Sequence, residues 1–177
     1  MSESIEFRSV THITAGTEGQ PGNRVFFLQI SDGERLVSVK LEKQQVQALA
    51  HYLRGVLDES DPPITTEGLE PLPIIEPIIP NWVVGQIAVG VDSAGHEVVL
   101  VIDELVEEEP DEMTEDLFTE DFFDSITDGA RIRAHIKMAQ AARFVATAEE
   151  LMTKGRPPCR LCGQPVDPSG HACPRLN

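Results

Sequence analysis

Four side chains near the end of the chain have the chemistry of metal ligands. Cys159, Cys162, His171 and Cys173 fall within fifteen residues. Cys-x-x-Cys lets two sulfurs face one ion from a tight turn, and Gly163 allows the positive φ that closes such a turn. His171 and Cys173 are two residues apart, so an extended backbone points both to one side. Between the pairs, Asp167-Pro168-Ser169-Gly170 suits a type I turn that folds the second pair onto the first. Three thiolates and a neutral imidazole around Zn²⁺ leave a local charge of about −1 and no open position, the signature of a structural site. Arg156, Arg160 and Arg175 are expected to stabilise the thiolates. The competing reading is a redox Cys-x-x-Cys. Redox pairs usually open a helix beside a β-α-β unit, whereas this one follows Pro157-Pro158 in a coil. Residues 156–177 hold few apolar side chains, Leu161, Val166 and Leu176 among them. Such a tail cannot build a core, so the metal must supply its folding energy.

The elements that carry this tail follow from hydrophobic periodicity. Val37, Val39 and Leu41 alternate with polar neighbours and read as one face of a strand. The period then changes. Val46, Leu49, Ala50, Leu53, Val56 and Leu57 form one stripe of an α-helix. The same pattern returns 95 residues on, in Ile132, Ala134 and Ile136, then Ala141, Phe144, Val145, Ala148, Leu151 and Met152. Gln45 and Gln140 match in identity as well. An internal duplication explains this spacing, although periodicity constrains element type better than ancestry. The expected fold is α+β. Two β-β-β-α units (5–60 and 82–155) give a mainly antiparallel sheet with two packed helices, and the zinc ribbon-like tail follows.

Upstream, Ile5–Ala15 reads as one strand and Arg24–Ile30 as a central strand, with Ser31-Asp32-Gly33 as a hairpin connection. Pro62 and Pro63 stop the first helix. The connector 61–81 holds six of the thirteen prolines, yet Ile74, Ile75, Ile78 and Ile79 are too apolar for a free linker. It is expected to lie across its own domain, with a partner-docking strip beside Trp82 as the alternative. Trp82–Val91 and Glu97–Val106 read as a hairpin. Residues 103–124 hold twelve Asp or Glu and no Lys or Arg, so the insertion 107–129 reads as a solvated loop. Leu117, Phe118, Phe122 and Phe123 within it are expected to dock back. The next strand exposes Arg131, Arg133 and His135, which are placed to neutralise acidic neighbours or to bind an anion.

The tail also carries a resemblance. Pro157-Pro158-Cys159, Cys162-Gly163, Pro165, Asp167-Pro168, Gly170-His171 and Cys173-Pro174-Arg175, with Asn177 beyond, resemble the end of an uncharacterised, mainly actinobacterial protein family of about this length. The resemblance extends over the Pro-rich middle and the final helix. It implies a zinc-binding tail and brings no activity with it.

Composition narrows the function classes. A net charge of −16 opposes broad binding to nucleic-acid backbones. Apolar runs reach five residues, far below the ~20 that span a membrane. The start Met1-Ser2-Glu3-Ser4-Ile5-Glu6 lacks the basic and apolar regions of a secretory signal, so a cytoplasmic location is expected. No nucleophile elbow, Walker loop, dinucleotide fingerprint or His-Glu-x-x-His is present. The expectation is therefore a zinc-binding protein-interaction module or adaptor whose partner is another protein. The alternative is an enzyme or binding protein that uses scattered groups, such as His12, His51, His96 and His135, on a phosphorylated small molecule. Nucleic-acid binding through the tail ranks third.

Overall fold

The computed structural model describes residues 4–106, 129–155, 157–166 and 169–176. In chain order the elements are β1 (Ser4–Phe7), β2 (His12–Glu18), β3 (Val25–Ser31), β4 (Leu36–Leu41), α1 (Lys43–Asp58), β5 (Trp82–Val91), β6 (Glu97–Glu104), β7 (Arg131–Lys137) and α2 (Met138–Thr153). The class is α+β. The strands form one sheet in the order β1-β7-β6-β5-β4-β3-β2. That sheet is mixed, not mainly antiparallel as expected. β4 pairs parallel to β5, and β1 pairs parallel to β7. The first pairing follows from the connection: a helix and a long connector return the chain to the starting end of β4, which a two-residue hairpin cannot do.

A second correction concerns Ile5–Ala15. It is two strands, not one, and they lie on opposite edges of the sheet. Only Arg8–Thr11 joins them, so Phe7 and His12 are at most about 18 Å apart. Six flat inter-strand steps would span about 29 Å. The sheet must therefore curl. Arg35, in the turn before β4, shows the result: its guanidinium donates to the Glu6 carbonyl of β1 at 3.3 Å and lies 5.1 Å over the Phe7 ring.

Inside the curl sit both helices. The strand stripes predicted from alternation (Val37, Val39 and Leu41; Ile132, Ala134 and Ile136) pack with Leu49, Leu53, Phe144 and Val145 in one core. The two helices begin 95 residues apart, as do β4 and β7. Their N-termini are closed alike. The side-chain carbonyl of Gln45 accepts the Glu42 backbone N–H at 2.8 Å, and that of Gln140 accepts the Lys137 N–H at 2.9 Å. This gives the one identity match between the two copies a shared structural task. Arg54 of α1 donates to Glu149 of α2 at 2.5 Å across the helix pair.

The outer face of β2, β3 and β4 is covered by the Pro-rich connector, which crosses its own domain like a strap. The docking is mainly polar. The strap's isoleucines contribute less than their number implies, since Ile79 stays 72% exposed and Ile75 41%. Instead, the buried Gln29 of β3 pairs with the strap backbone like a strand. Its Nε2 donates to the Ile75 carbonyl at 2.9 Å, and its Oε1 accepts the Ile75 N–H at 2.7 Å. Thr14 Oγ1 donates to the Leu72 carbonyl at 2.5 Å, and the Leu72 N–H donates to Thr147 of α2 at 3.0 Å. Asn81 closes the strap on β4, with its N–H on the Ser38 carbonyl at 2.7 Å. The strap also crosses at Gly16, where a Cβ would lie 2.7 Å from Ile74 Cδ1. Leu117, Phe118, Phe122 and Phe123 of the acidic insertion, which were expected to dock back, lie outside the described residues.

Two substitutions check the strap. Gln29→Met removes both Ile75 bonds and leaves buried backbone groups unpaired. It is expected to cost about 2 kcal/mol or more, read as a lower urea midpoint. Gly16→Val must displace Ile74, with an expected loss of about 1–3 kcal/mol in the same assay.

Candidate metal centre

Beyond α2 the chain leaves the main core, whose last contributor is Met152. The next described residues form a small loop held by its own backbone. Pro158 and Pro165 face each other as an antiparallel bridge. The Cys159 N–H donates to the Gln164 carbonyl at 2.7 Å, the Gly163 N–H to the Cys159 carbonyl at 2.9 Å, and the Val166 N–H to the Pro157 carbonyl at 2.9 Å. Gly163 has φ of +74°, the left-handed conformation that turns the chain back after Cys162.

This loop and the segment from Gly170 bring four ligand atoms together. One atom each from Cys159, Cys162, His171 and Cys173 lies within 4.8 Å of all the others. The Cys159 and Cys173 sulfurs are 3.9 Å apart, and Cys162 Sγ is 3.2 Å from His171 Nε2. A tetrahedral ion with metal–sulfur bonds of about 2.3 Å sets its sulfurs about 3.8 Å apart, which the Cys159–Cys173 spacing matches, and the four atoms lie close enough together to hold one ion. Cys173 is buried; the other three are half-buried.

Local electrostatics favour the thiolates from the backbone. The N–H groups of Cys162 and Leu161 point at Cys159 Sγ and hold that thiol below its ordinary value. The Leu161 bond measures 3.4 Å. Cys162 also has a backbone donor, from Gln164, but burial and the adjoining Cys159 and Cys173 thiols push it up. Crowded thiols resist becoming thiolates together until a cation neutralises them. Arg160 and Arg175 are exposed. Arg156 and the turn residues Asp167 and Pro168 lie outside the described residues.

The remaining singled-out residues do not gather into a second centre among the described residues. His51 and His96 are exposed. Arg131 forms a two-pronged pair with Asp103, at 2.6 and 2.9 Å, so it neutralises an acidic neighbour. His135 lies 3.9 Å from Glu6 and 3.8 Å from Glu97. His12 is different, because its Nε2 is buried and meets no partner among the described residues. Its sequence context, an isolated histidine at a strand start, gives no signal of this.

The sequence model of a family described as a protein of unknown function, DUF3090, matches residues 5–173. No curated protein and no solved structure matches the chain.

Metal removal is the direct check on this geometry. An ion held by these four ligands is expected to be released by chelation or by Cys162→Ser, with unfolding of the tail and the core's melting transition left in place. Limited proteolysis after Gly155 and a thermal melt read these separately. Acidification is expected to release the ion too, because protons compete for three thiolates and an imidazole.

Proposed function

Given that the chain belongs to the DUF3090 family, we propose that it is a cytoplasmic, non-enzymatic protein-interaction module or adaptor. Its tail is held by one structural Zn²⁺ on Cys159, Cys162, His171 and Cys173. The observation that carries the proposal is the cluster of four ligand atoms, three sulfurs and one imidazole nitrogen, on a segment that adds nothing to the main core. Three sulfurs and one imidazole are the donor set that zinc takes in closed structural sites. Four protein ligands leave no position for substrate or water, which favours recognition over catalysis. Keeping three ligand thiols reduced requires a reducing compartment, which supports the cytoplasm. No helix among the described residues is long and apolar enough to cross a membrane.

A metal-fixed loop presents its exposed side chains, Leu161 and Leu176 among them, in one geometry. That rigidity lowers the ordering cost of binding a partner. Another protein is the favoured partner. Nucleic acid is less favoured, since a net charge of −16 repels phosphates. The equal spacing and equal capping of the two halves also support an internal duplication.

Elemental analysis of the purified chain is expected to find about one zinc per molecule. Full-length protein, a version ending at Gly155 and Cys162→Ser can then be compared in affinity capture. A partner retained by full-length protein and lost from both variants is the expected result. Zinc-free protein with reduced thiols refutes the metal reading, and a partner held equally by all three removes the tail as the contact.

A further inference from the structure

We propose that the α+β core binds a small organic anion, a carboxylate or phosphate monoester with a short apolar body, in the cavity between β2, the strap and the start of α2. This proposal is independent of the tail and its metal. The cavity measures about 350 Å³ and is lined by His12, Gln140 and Arg143, with Ile13, Leu69 and Leu72 as apolar walls. The strap therefore builds one side, β2 a second and α2 a third.

The polar groups around this space are not equivalent. Thr11 Oγ1 is committed to the Ser31 carbonyl at 3.2 Å. Gln140 is spent at both ends: its Nε2 donates to the Val10 carbonyl at 2.7 Å, and its Oε1 accepts the Lys137 N–H at 2.9 Å. Two groups remain. His12 Nε2 is buried and meets no hydrogen-bond partner among the described residues. Arg143 is exposed, lines the cavity and meets no carboxylate among the described residues. A buried polar atom without a partner is costly, and native proteins rarely keep one without a use. Burial also holds the His12 imidazole below its ordinary pKa, so it is neutral at physiological pH and offers one N–H or one lone pair.

A planar guanidinium recognises carboxylate or phosphate oxygens in a two-pronged way. α2 begins at Met138, so the first turn adds the positive end of the helix dipole to the same side. The walls then choose the rest of the ligand. An apolar body against Ile13, Leu69 and Leu72 is desolvated, whereas a bare inorganic ion leaves that surface empty. In a chain of net charge −16, long-range attraction cannot bring an anion here, so recognition is local.

The test follows the imidazole nitrogens of ¹⁵N-labelled, full-length, metal-replete protein during titration with 4-methylpentanoate, phenyl phosphate and inorganic phosphate. The His12 signal is assigned by its loss in His12→Gln. The expected result is a saturable shift of His12 Nε2 with the two organic anions and a weaker response to inorganic phosphate. Arg143→Gln, at an exposed position, is expected to keep its melting temperature and to bind about tenfold more weakly or worse. An unmoved His12 signal, equal affinity in Arg143→Gln, or an equal response to inorganic phosphate each overturns the proposal. The first of these would leave His12 Nε2 bonded to an ordered water only.

Discussion

One buried side-chain amide holds much of this structure in place. Gln29 is fully enclosed and takes both backbone groups of Ile75, while its Nε2 also reaches Ser38 Oγ at 3.0 Å. A polar residue in the middle of a central strand is expensive unless satisfied. Here the expense is offset by fixing the middle of the strap, between its bonds at Leu72 and at Asn81. Once the strap is fixed, three features follow. The outer face of β2–β4 is closed. The outward Thr14 of β2 is tied to the strap at Leu72. The chain is also delivered to Trp82 beside β4, in the direction that makes β5 parallel to it.

That parallel step lets the sheet continue from one half to the other. Each half runs as an antiparallel meander into a helix, and the helices meet in the interior. The equal capping by Gln45 and Gln140 fixes where each helix begins relative to its preceding strand. The curl then brings the sheet edges close enough for four residues to bridge them. α2 thereby lies beside β2 as well as its own β7, and the cavity at His12 lies along that junction.

The tail follows different energetics. Its backbone bonds are local, its apolar side chains are mostly exposed, and Cys173 is its one buried hydrophobe among the described residues. Without an ion, three half-paired thiols crowd a small volume. With one, their mutual repulsion becomes ligation, so metal affinity and folding of this segment are one free energy. The main core, whose last contributor is Met152, does not draw on it.

The sequence by itself determined the local terms. Alternation at Val37–Leu41 and Ile132–Ile136 set strands, the 3.6-residue stripes set both helices, and ligand spacing set which four side chains meet. These depend on neighbours within a few residues, where periodicity and turn chemistry are strong. Tertiary structure alone decided the long-range terms. Ile5–Ala15 divides between two sheet edges because strand pairing partners, not local pattern, assign its halves. The mixed sheet depends on where a long connector delivers β5, which proline content does not specify. The strap docks through Thr14, Gln29 and Ser38 because these outward positions meet a backbone, while their sequence pattern is that of any solvated face. His12 is the clearest case. A lone histidine carries no sequence signal, and its nitrogen is buried, without a partner among the described residues, because β2, the strap and α2 close around it.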